Sequence, residues 1–187
     1  SPREFSAADL AVLGDLGALA EDEFAAISAA TTDELTGLFN RRGFNQLVRF
    51  TLSVARRRAE PLTLGWLDLD RFKEINDRYG HEEGDKALKV MAQLMRSAFR
   101  EADMLVRFGG DEFAVLFADT DEQGAWIAMQ YLAEQVESYN ARKLHPWSLH
   151  FSWGLSEFDH NGNDLQQWLK DADEKMYAMK QQRQRAR

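Results

Sequence analysis

Cysteine is absent from the 187-residue chain, and its absence excludes several classes of chemistry at once. Disulfide scaffolds, cysteine-ligated zinc and thiol catalysis are all ruled out. No apolar run approaches the roughly 20 residues that a membrane helix needs, and the first residues lack the pattern of a signal peptide. We therefore expect a soluble, cytoplasmic protein without a membrane segment, and the start at Ser1-Pro2-Arg3 favours a fragment of a longer chain.

Positive charge is also in short supply, because 23 Lys and Arg stand against 31 Asp and Glu and give a formal net charge of −8. Sequence-independent binding of duplex nucleic acid requires a basic face, so no nucleic-acid partner is expected. An acidic protein still binds phosphates when a divalent cation lies between its carboxylates and the phosphate oxygens. Clusters of Asp and Glu are therefore the places where function is expected.

The apolar periodicity predicts an α+β chain whose helices pack on a mixed sheet. Helices are expected at 6–30, 41–59, 71–78, 83–100, 122–142 and 165–183, the last capped by Asp164, and strands at 62–69, 104–108, 113–118 and 147–153. Residues 35–40 are interpreted as a turn. A short loop with two glycines joins the second and third strands, which is the pattern of a β-hairpin. Alternating apolar residues at 147, 149, 151 and 153 predict a fourth strand with one buried face.

Two pairs of carboxylates lie where predicted core strands end. Asp68 and Asp70 share one face of the first strand, and Leu69 points to the other, because side chains alternate across a strand. Asp111 and Glu112 lie in the hairpin loop, so the four acids converge if the hairpin pairs around the first strand. Hard oxygen ligands without Cys or clustered His favour Mg²⁺ or Mn²⁺. The alternative is that these residues are surface acids that cap strands and turns.

The hairpin glycines bear on the choice between these two interpretations. Gly109 and Gly110 have no Cβ, so the loop can approach a ligand closely or adopt positive φ. Two glycines are also ordinary turn chemistry. Neither a GxxxxGK loop nor a GxGxxG fingerprint is present, so P-loop and dinucleotide-binding sites are unsupported.

Four motifs, in order, carry a resemblance to a known family. Residues 107–113 read RFGGDEF, residues 68–85 read DLDRFKEINDRYGHEEGD, and residues 33–42 read DELTGLFNRR. The last helix carries Ala172-Asp173, Met176-Tyr177 and Lys180. From about Thr31 to its end, the chain resembles the GGDEF family of diguanylate cyclases, which join two GTP into cyclic di-GMP and release two pyrophosphates.

The resemblance implies an α+β fold similar to the palm of polymerases and class III nucleotide cyclases, with a central, mostly antiparallel sheet surrounded by helices. It assigns residues 31–187 to the catalytic domain. Residues 1–30 would form a connector helix at the end of an upstream sensory domain, since residues 3–10 resemble the closing helix of a GAF domain. The apolar stripe of this helix suits dimerisation, and a homodimer is needed because each domain holds one GTP.

The resemblance also assigns roles around the phosphates. Two Mg²⁺ or Mn²⁺ ions in each half-site would be held by Asp68, the main-chain carbonyl of Leu69, Asp111 and Glu112. These metals would hold the triphosphate and lower the pKa of the attacking 3′-hydroxyl, with Asp111 as the proton acceptor. Lys73 and Lys180 would stabilise charge on the phosphates.

By the same resemblance, Asn76 and Asp85 would read the guanine edge. Asp85 can accept from the ring N–H and the exocyclic amine together, a donor pair that adenine lacks. The rest of the substrate-binding set is Phe72, His81, Gly109 and Gly110. Asn76 has an alternative as a helix C-terminal residue near Gly80, and His81 as a structural hydrogen-bonding residue.

Arg100 and Asp103 match RxxD, the product-binding inhibitory site of the family. Arg100 would fork onto a phosphate or guanine of cyclic di-GMP, and Asp103 would accept from guanine. The alternative is a helix-ending Arg paired with a loop Asp. The family's usual Gly-Arg-Asn after the last-helix lysine is missing here, where Gln181, Gln182 and Arg183 follow. Two other functions stay open: a catalytically silent nucleotide or cyclic di-GMP receptor, and a plain dimerising signalling domain.

Overall fold

A computed structural model describes residues 29–160, 162 and 164–185. The connector helix predicted at 6–30 therefore falls almost entirely outside the described residues. The elements, in chain order, are β1 (Phe39–Asn40), α1 (Arg41–Arg58), β2 (Leu62–Leu69), α2 (Phe72–Tyr79), α3 (His81–Ala98), β3 (Met104–Gly109), β4 (Glu112–Ala118), α4 (Glu122–Ala141), β5 (Phe151–Glu157) and α5 (Leu165–Arg185). Within the described ranges, no helix is both long and apolar enough to cross a bilayer.

The five strands form one sheet in the order β1-β3-β4-β2-β5. All neighbours are antiparallel except β1, which pairs with β3 in parallel. The expectation of a mostly antiparallel sheet with helices around it is confirmed. Because β2 lies between β4 and β5, the β3–β4 hairpin is brought beside the end of β2.

Helix boundaries follow local chemistry closely. The side chains of Asn40, Asp121 and Asp164 cap α1, α4 and α5 by accepting backbone N–H groups at 2.8–2.9 Å. The start predicted for α3 is two residues late, because Gly80 (φ 89°, ψ 162°) ends α2 and α3 begins at the next residue. The helix ends at Ala98, two residues before the predicted end, since Phe99 already has extended backbone.

One turn prediction and one strand prediction are corrected by the structure. Residues 35–40 are not only a turn, because Phe39 and Asn40 pair with Val106 and Arg107 as β1. The strand predicted at 147–153 is wrong over 147–150 and begins at Phe151. Trp147 and Leu149 are buried as the alternation suggested, but residues 147–150 belong to none of the strands that the structure describes, and only the His150 carbonyl accepts a backbone N–H from the end of β2, that of Asp70 at 2.8 Å. By contrast, β5 is buried on both faces.

The helices cover both faces of the sheet. Side chains of α1 and α5, including Phe44 and Trp168, form one apolar cluster, and side chains of α3 and α4, including Met91 and Met129, form the other. At Gly154 a Cβ would lie 2.2 Å from the Met176 nitrogen and 2.3 Å from the Ala172 oxygen. Glycine therefore lets the α5 backbone rest directly on β5 and fixes where the end of α5 reaches.

Candidate active site

The predicted carboxylates meet at the last residues of β2. Asp68 lies opposite Glu112 in the β2–β4 register, and the Leu69 N–H donates to the Asp111 carbonyl at 3.1 Å. We call Asp68, Asp70, Asp111 and Glu112 the carboxylate end. Strand pairing alone thus brings the two acid motifs together, although they are about 40 residues apart along the chain.

Two cations of α5 reach this carboxylate end. Lys180 Nζ forms a hydrogen-bonded ion pair with Asp68 Oδ1, and Arg183 Nη1 lies 3.5 Å from Asp70 Oδ2. Lys180 and Arg183 are three residues apart on one helix, so they project from the same side. Asp68 and Asp70 therefore both face α5, as the alternation predicted, although Asp70 lies just beyond the end of β2. Arg183 also donates to the Phe151 carbonyl, so its contacts are with protein groups.

Negative charge exceeds positive charge at the carboxylate end, and the pKa values of Asp68, Glu112 and Lys180 are all raised. Burial raises the pKa of Asp68, and the Asp111 charge raises it further, against the opposing effect of Lys180. Burial raises the pKa of Glu112, followed by the charges of Asp68 and Asp111. Burial alone would lower the pKa of Lys180, but its hydrogen bond to Asp68 and the nearby carboxylates raise it.

The carboxylate end fits a divalent cation by donor type and by charge. Asp68, Asp111 and Glu112 supply carboxylate oxygens and Leu69 a carbonyl, and hard oxygen donors are those that Mg²⁺ prefers. Burial is the main cause of the raised pKa of Asp68 and Glu112, and neighbouring carboxylates add to it; a bound cation would relieve that repulsion. Among the described residues, no three His, Asp or Glu side chains are arranged to hold an ion by themselves. A cation at Asp68 would therefore rely on the carbonyl and on substrate oxygens, and would compete with Lys180.

The hairpin turn is shaped by its glycines and open to solvent. Gly109 has φ 144° and Gly110 has φ 53°, and a Cβ on either residue would meet no atom within 4 Å. Conformation, rather than crowding, therefore requires glycine, most strictly at Gly109. The free space beside both residues leaves their backbone approachable by a ligand.

Arg107 holds the hairpin turn, a role for which sequence reasoning gave no prediction. Its Nε and Nη2 donate to the Gly110 carbonyl at 3.1 and 2.8 Å, and its Nη1 donates to both carboxylate oxygens of Asp33 at 3.0 and 3.1 Å. Burial raises the pKa of Asp33, but hydrogen bonds from Thr36 and Arg107 outweigh it and leave the pKa below its usual value. The signal available in the sequence was the position of Asp33 and Arg107 at the outer edges of two motifs.

The second group of predicted residues lies on residues 72–85, the α2–α3 elbow. A Cβ on Gly84 would lie 1.9 Å from Asn76 Oδ1 and 3.3 Å from Phe72 Cζ. The Asn76 amide is thus packed against the first turn of α3, next to the predicted guanine-reading residue Asp85. Asp85 and His81 are exposed on that turn.

Comparison with known proteins identifies the family that shares this arrangement. The family described as "Diguanylate cyclase, GGDEF domain" matches residues 30–186. This chain belongs to the GGDEF family. The structure of the coiled coil and GGDEF domain of DgcB from Caulobacter crescentus, in complex with c-di-GMP, has a TM-score of 0.83 at 26% identity and covers 93% of each chain. The diguanylate cyclase SiaD of Pseudomonas aeruginosa, in complex with its activator SiaC, has a TM-score of 0.76 at 30% identity, with 92% of this chain and 67% of that chain covered.

Curated relatives of this GGDEF domain are much longer proteins. The cyclic di-GMP phosphodiesterase NbdA of Pseudomonas aeruginosa is 38% identical over 143 residues, which are 76% of this chain and 18% of NbdA. The probable diguanylate cyclase DgcC of Escherichia coli is 33% identical over 151 residues, which are 81% of this chain and 41% of DgcC. This chain therefore spans less than half the length of either relative.

The remaining predicted residues of the GGDEF domain lie outside the two groups or at their margins. Lys73 is exposed on the first turn of α2, three residues after Asp70. Asp103 Oδ2 accepts the Arg100 N–H at 2.9 Å, and Asp103 Oδ1 accepts the Ala118 N–H at 3.3 Å. Burial raises the pKa of Asp103 despite these bonds. The Asp103 carboxylate therefore organises its own loop, while Arg100 is exposed beside a cavity of about 80 Å³.

Proposed function

We propose that this GGDEF domain is a diguanylate cyclase module that condenses two GTP into cyclic di-GMP and two pyrophosphates. The observation that carries the proposal is the convergence of Asp68, Asp111 and Glu112 at the end of β2, with more negative charge than Lys180 balances. Relatives such as DgcP of Pseudomonas aeruginosa, 37% identical over 155 residues, are named diguanylate cyclases. NbdA is named a phosphodiesterase, but the matched part is only 18% of that protein, so we do not infer phosphodiesterase activity for this chain.

The phosphate chemistry is assigned to the carboxylate end. Asp68, the Leu69 carbonyl, Asp111 and Glu112 would hold two Mg²⁺ or Mn²⁺ ions per half-site, which stabilise phosphate charge and acidify the 3′-hydroxyl when bound. Asp111 accepts the proton of that hydroxyl as it attacks the α-phosphate of the second GTP. Lys180, which is paired with Asp68 in the absence of substrate, would exchange this carboxylate for a phosphate oxygen. Lys73, on α2, would bind the phosphates as well.

Base recognition is assigned to the elbow. Asn76 and Asp85 read the guanine edge, with Phe72, His81, Gly109 and Gly110 completing the substrate contacts. The packing of Asn76 on Gly84 supports this assignment, because it sets the amide beside the turn that carries Asp85. Adenine would leave Asp85 without its donor pair, and each polar group that the bound base buried without a partner would cost about 1–3 kcal/mol.

Assembly and feedback complete the proposal. Two half-sites must face each other to close the cyclic product, so turnover requires a homodimer, joined through residues 1–30 to an upstream sensory domain. Arg100 and Asp103 bind cyclic di-GMP as an inhibitor, and the exposed guanidinium beside the small cavity supports this. GTP is drawn from the cytoplasm, where the protein would act.

Turnover of GTP with Mg²⁺, followed by chromatography of the products, tests the proposal. Cyclic di-GMP formed by the wild type supports a cyclase, binding without product indicates a silent receptor, and neither indicates a dimerising domain. Replacement of an exposed carboxylate far from the site, Glu137→Gln, is the matched control for changes at the carboxylate end.

Inhibition is tested separately with Arg100→Ala and the exposed α1 control Arg49→Ala. Arg100→Ala should raise the cyclic di-GMP concentration needed for half-inhibition, because a bidentate phosphate or guanine contact is lost. Equal inhibition of both variants would remove Arg100 from the inhibitory site.

A further inference from the structure

The segment between α4 and β5 is fastened to the side of the elbow. Trp147 Nε1 donates to Glu83 Oε2 at 2.7 Å, and His145 Nδ1 lies 3.6 Å from the same oxygen. The Tyr79 hydroxyl donates to the Pro146 carbonyl at 2.9 Å. Residues 145–149, here called the buttress, therefore contact both the end of α2 and the start of α3.

The buttress is itself held in place. The Asn140 side chain donates to the Leu149 carbonyl at 2.7 Å and accepts the Leu149 N–H at 2.8 Å. The rings of His145 and Trp147 stack at 4.3 Å with an interplanar angle of 9°. Trp147 is 7% exposed, so its indole N–H has a fixed direction and Glu83 is the acceptor that it meets.

Glu83 belongs to the first turn of α3, directly before Gly84 and Asp85. Its other oxygen accepts Lys86 Nζ at 2.6 Å, so both carboxylate oxygens are engaged. The hydrogen bonds from Lys86 and Trp147 hold the pKa of Glu83 below its usual value, so it accepts as a carboxylate at neutral pH.

The start of α3 has no side-chain cap. Its N-cap is Gly80, which has φ 89° and offers no side chain to cap the helix. The Glu83 and Gly84 N–H groups both donate to the Gly80 carbonyl at 3.2 Å. Packing on Asn76 from one side and the Glu83–Trp147 bond from another add the side-chain restraints on this turn. Asp85 directly follows Gly84, so its position depends on that of this turn.

We propose that Glu83, anchored by Trp147, is a positioning residue that fixes the first turn of α3 and so determines how strongly Asp85 and Asn76 select guanine. The inference rests on the proposed function, since it assigns the base contacts to the elbow. Glu83 does not touch the nucleotide and acts through the position of Asp85.

The test compares GTP with inosine triphosphate, whose base lacks only the exocyclic amine. Glu83→Ala and Trp147→Phe should each lower the preference for GTP over inosine triphosphate by roughly fivefold, through KM rather than kcat, because Asp85 no longer meets both donors. Glu83→Gln keeps an acceptor for the indole and should restore most of the preference. Glu82→Ala removes a charge from the same turn at an exposed position and should leave the preference as in the wild type.

A purely structural role would lower the melting temperature and the turnover of both nucleotides alike, and an unchanged preference in Glu83→Ala and Trp147→Phe overturns the proposal. If the wild type forms no cyclic di-GMP, the proposed function fails on its own. Equilibrium binding of GTP and inosine triphosphate with Mg²⁺ then measures the same preference in the same variants. A wild type that binds neither nucleotide, or both equally, also overturns it.

Discussion

The carboxylate end and the elbow are stabilised by opposite means. At the carboxylate end, like charges are brought together by strand pairing and are balanced in part by Lys180 and Arg183. At the elbow, a missing Cβ at Gly84 admits the Asn76 amide, and shape determines the arrangement. We therefore expect the first region to rearrange when a charged ligand binds, and the second to keep the arrangement it has before binding.

The largest expected effect is at the carboxylate end. Asp111→Asn should reduce cyclic di-GMP formation by at least about 1,000-fold, because the residue that we propose as both cation ligand and proton acceptor is lost. The fold should persist, since the Asp111 contact with Leu69 uses the main-chain carbonyl. Product chromatography and thermal unfolding measure the two properties, and activity above a tenth of wild type would refute the role of Asp111.

At the elbow, the corresponding change is steric. Gly84→Ala should raise the KM for GTP by roughly tenfold or more and destabilise the fold by about 1–3 kcal/mol, because the added Cβ displaces Asn76. The double variant Gly84→Ala with Asn76→Ala removes the clash, so it should regain stability without regaining affinity for GTP. Steady-state kinetics and urea unfolding distinguish these outcomes, and recovery of both properties would contradict a base-reading role for Asn76.

Lys180→Met measures how far the carboxylate end is able to rearrange. Without the ammonium group, Mn²⁺ should bind the nucleotide-free protein several-fold more tightly, while turnover falls by about tenfold because the proposed phosphate contact of Lys180 is lost. Titration of Mn²⁺ by electron paramagnetic resonance gives the affinity. Weaker Mn²⁺ binding in this variant would show that Lys180 does not compete with the cation.

The smallest effects concern two acids whose pKa values shift in opposite directions. The pKa of Asp33 is lowered, so its contribution to stability is present at neutral pH and is lost as the pH falls through the acid range. The pKa of Asp103 is raised, so its contribution is largest at low pH and is lost as the pH rises through its titration. From pH 7 to pH 4, the free energy of unfolding of wild type relative to Asp33→Asn should fall, and relative to Asp103→Asn it should rise. Urea unfolding at both pH values is the measurement. Changes of the same sign for the two variants would contradict the opposite pKa shifts of Asp33 and Asp103.

The same contrast explains what the sequence was able to predict. The acids of the carboxylate end follow from strand alternation and from a hairpin with two glycines, both of which are local patterns. The roles of Asn76 and Asp85 were predicted only from resemblance to a family. No local pattern predicts them, because the packing of Asn76 against Gly84, next to Asp85, depends on how α2 and α3 fold back on each other.

Other features depend on contacts between distant parts of the chain. The start of β5 was misplaced because Trp147 and Leu149 are buried against the elbow and against Asn140, which gives them the alternation of a strand without its pairing. The clamp from Arg107 to Asp33 spans 74 residues and has no local pattern. The periodicity of apolar residues does not predict tertiary contacts of this kind.

The close contact of α5 with Gly154 has a consequence for how this helix tolerates change. A one-residue insertion between Met176 and Lys180 would turn the remaining helix by about 100° and carry Lys180 and Arg183 away from their acids together. An insertion after Arg183 would leave both in phase. The contact at Gly154 therefore fixes the register of α5, and the number of residues between this contact and Lys180 determines whether the two cations reach their acids.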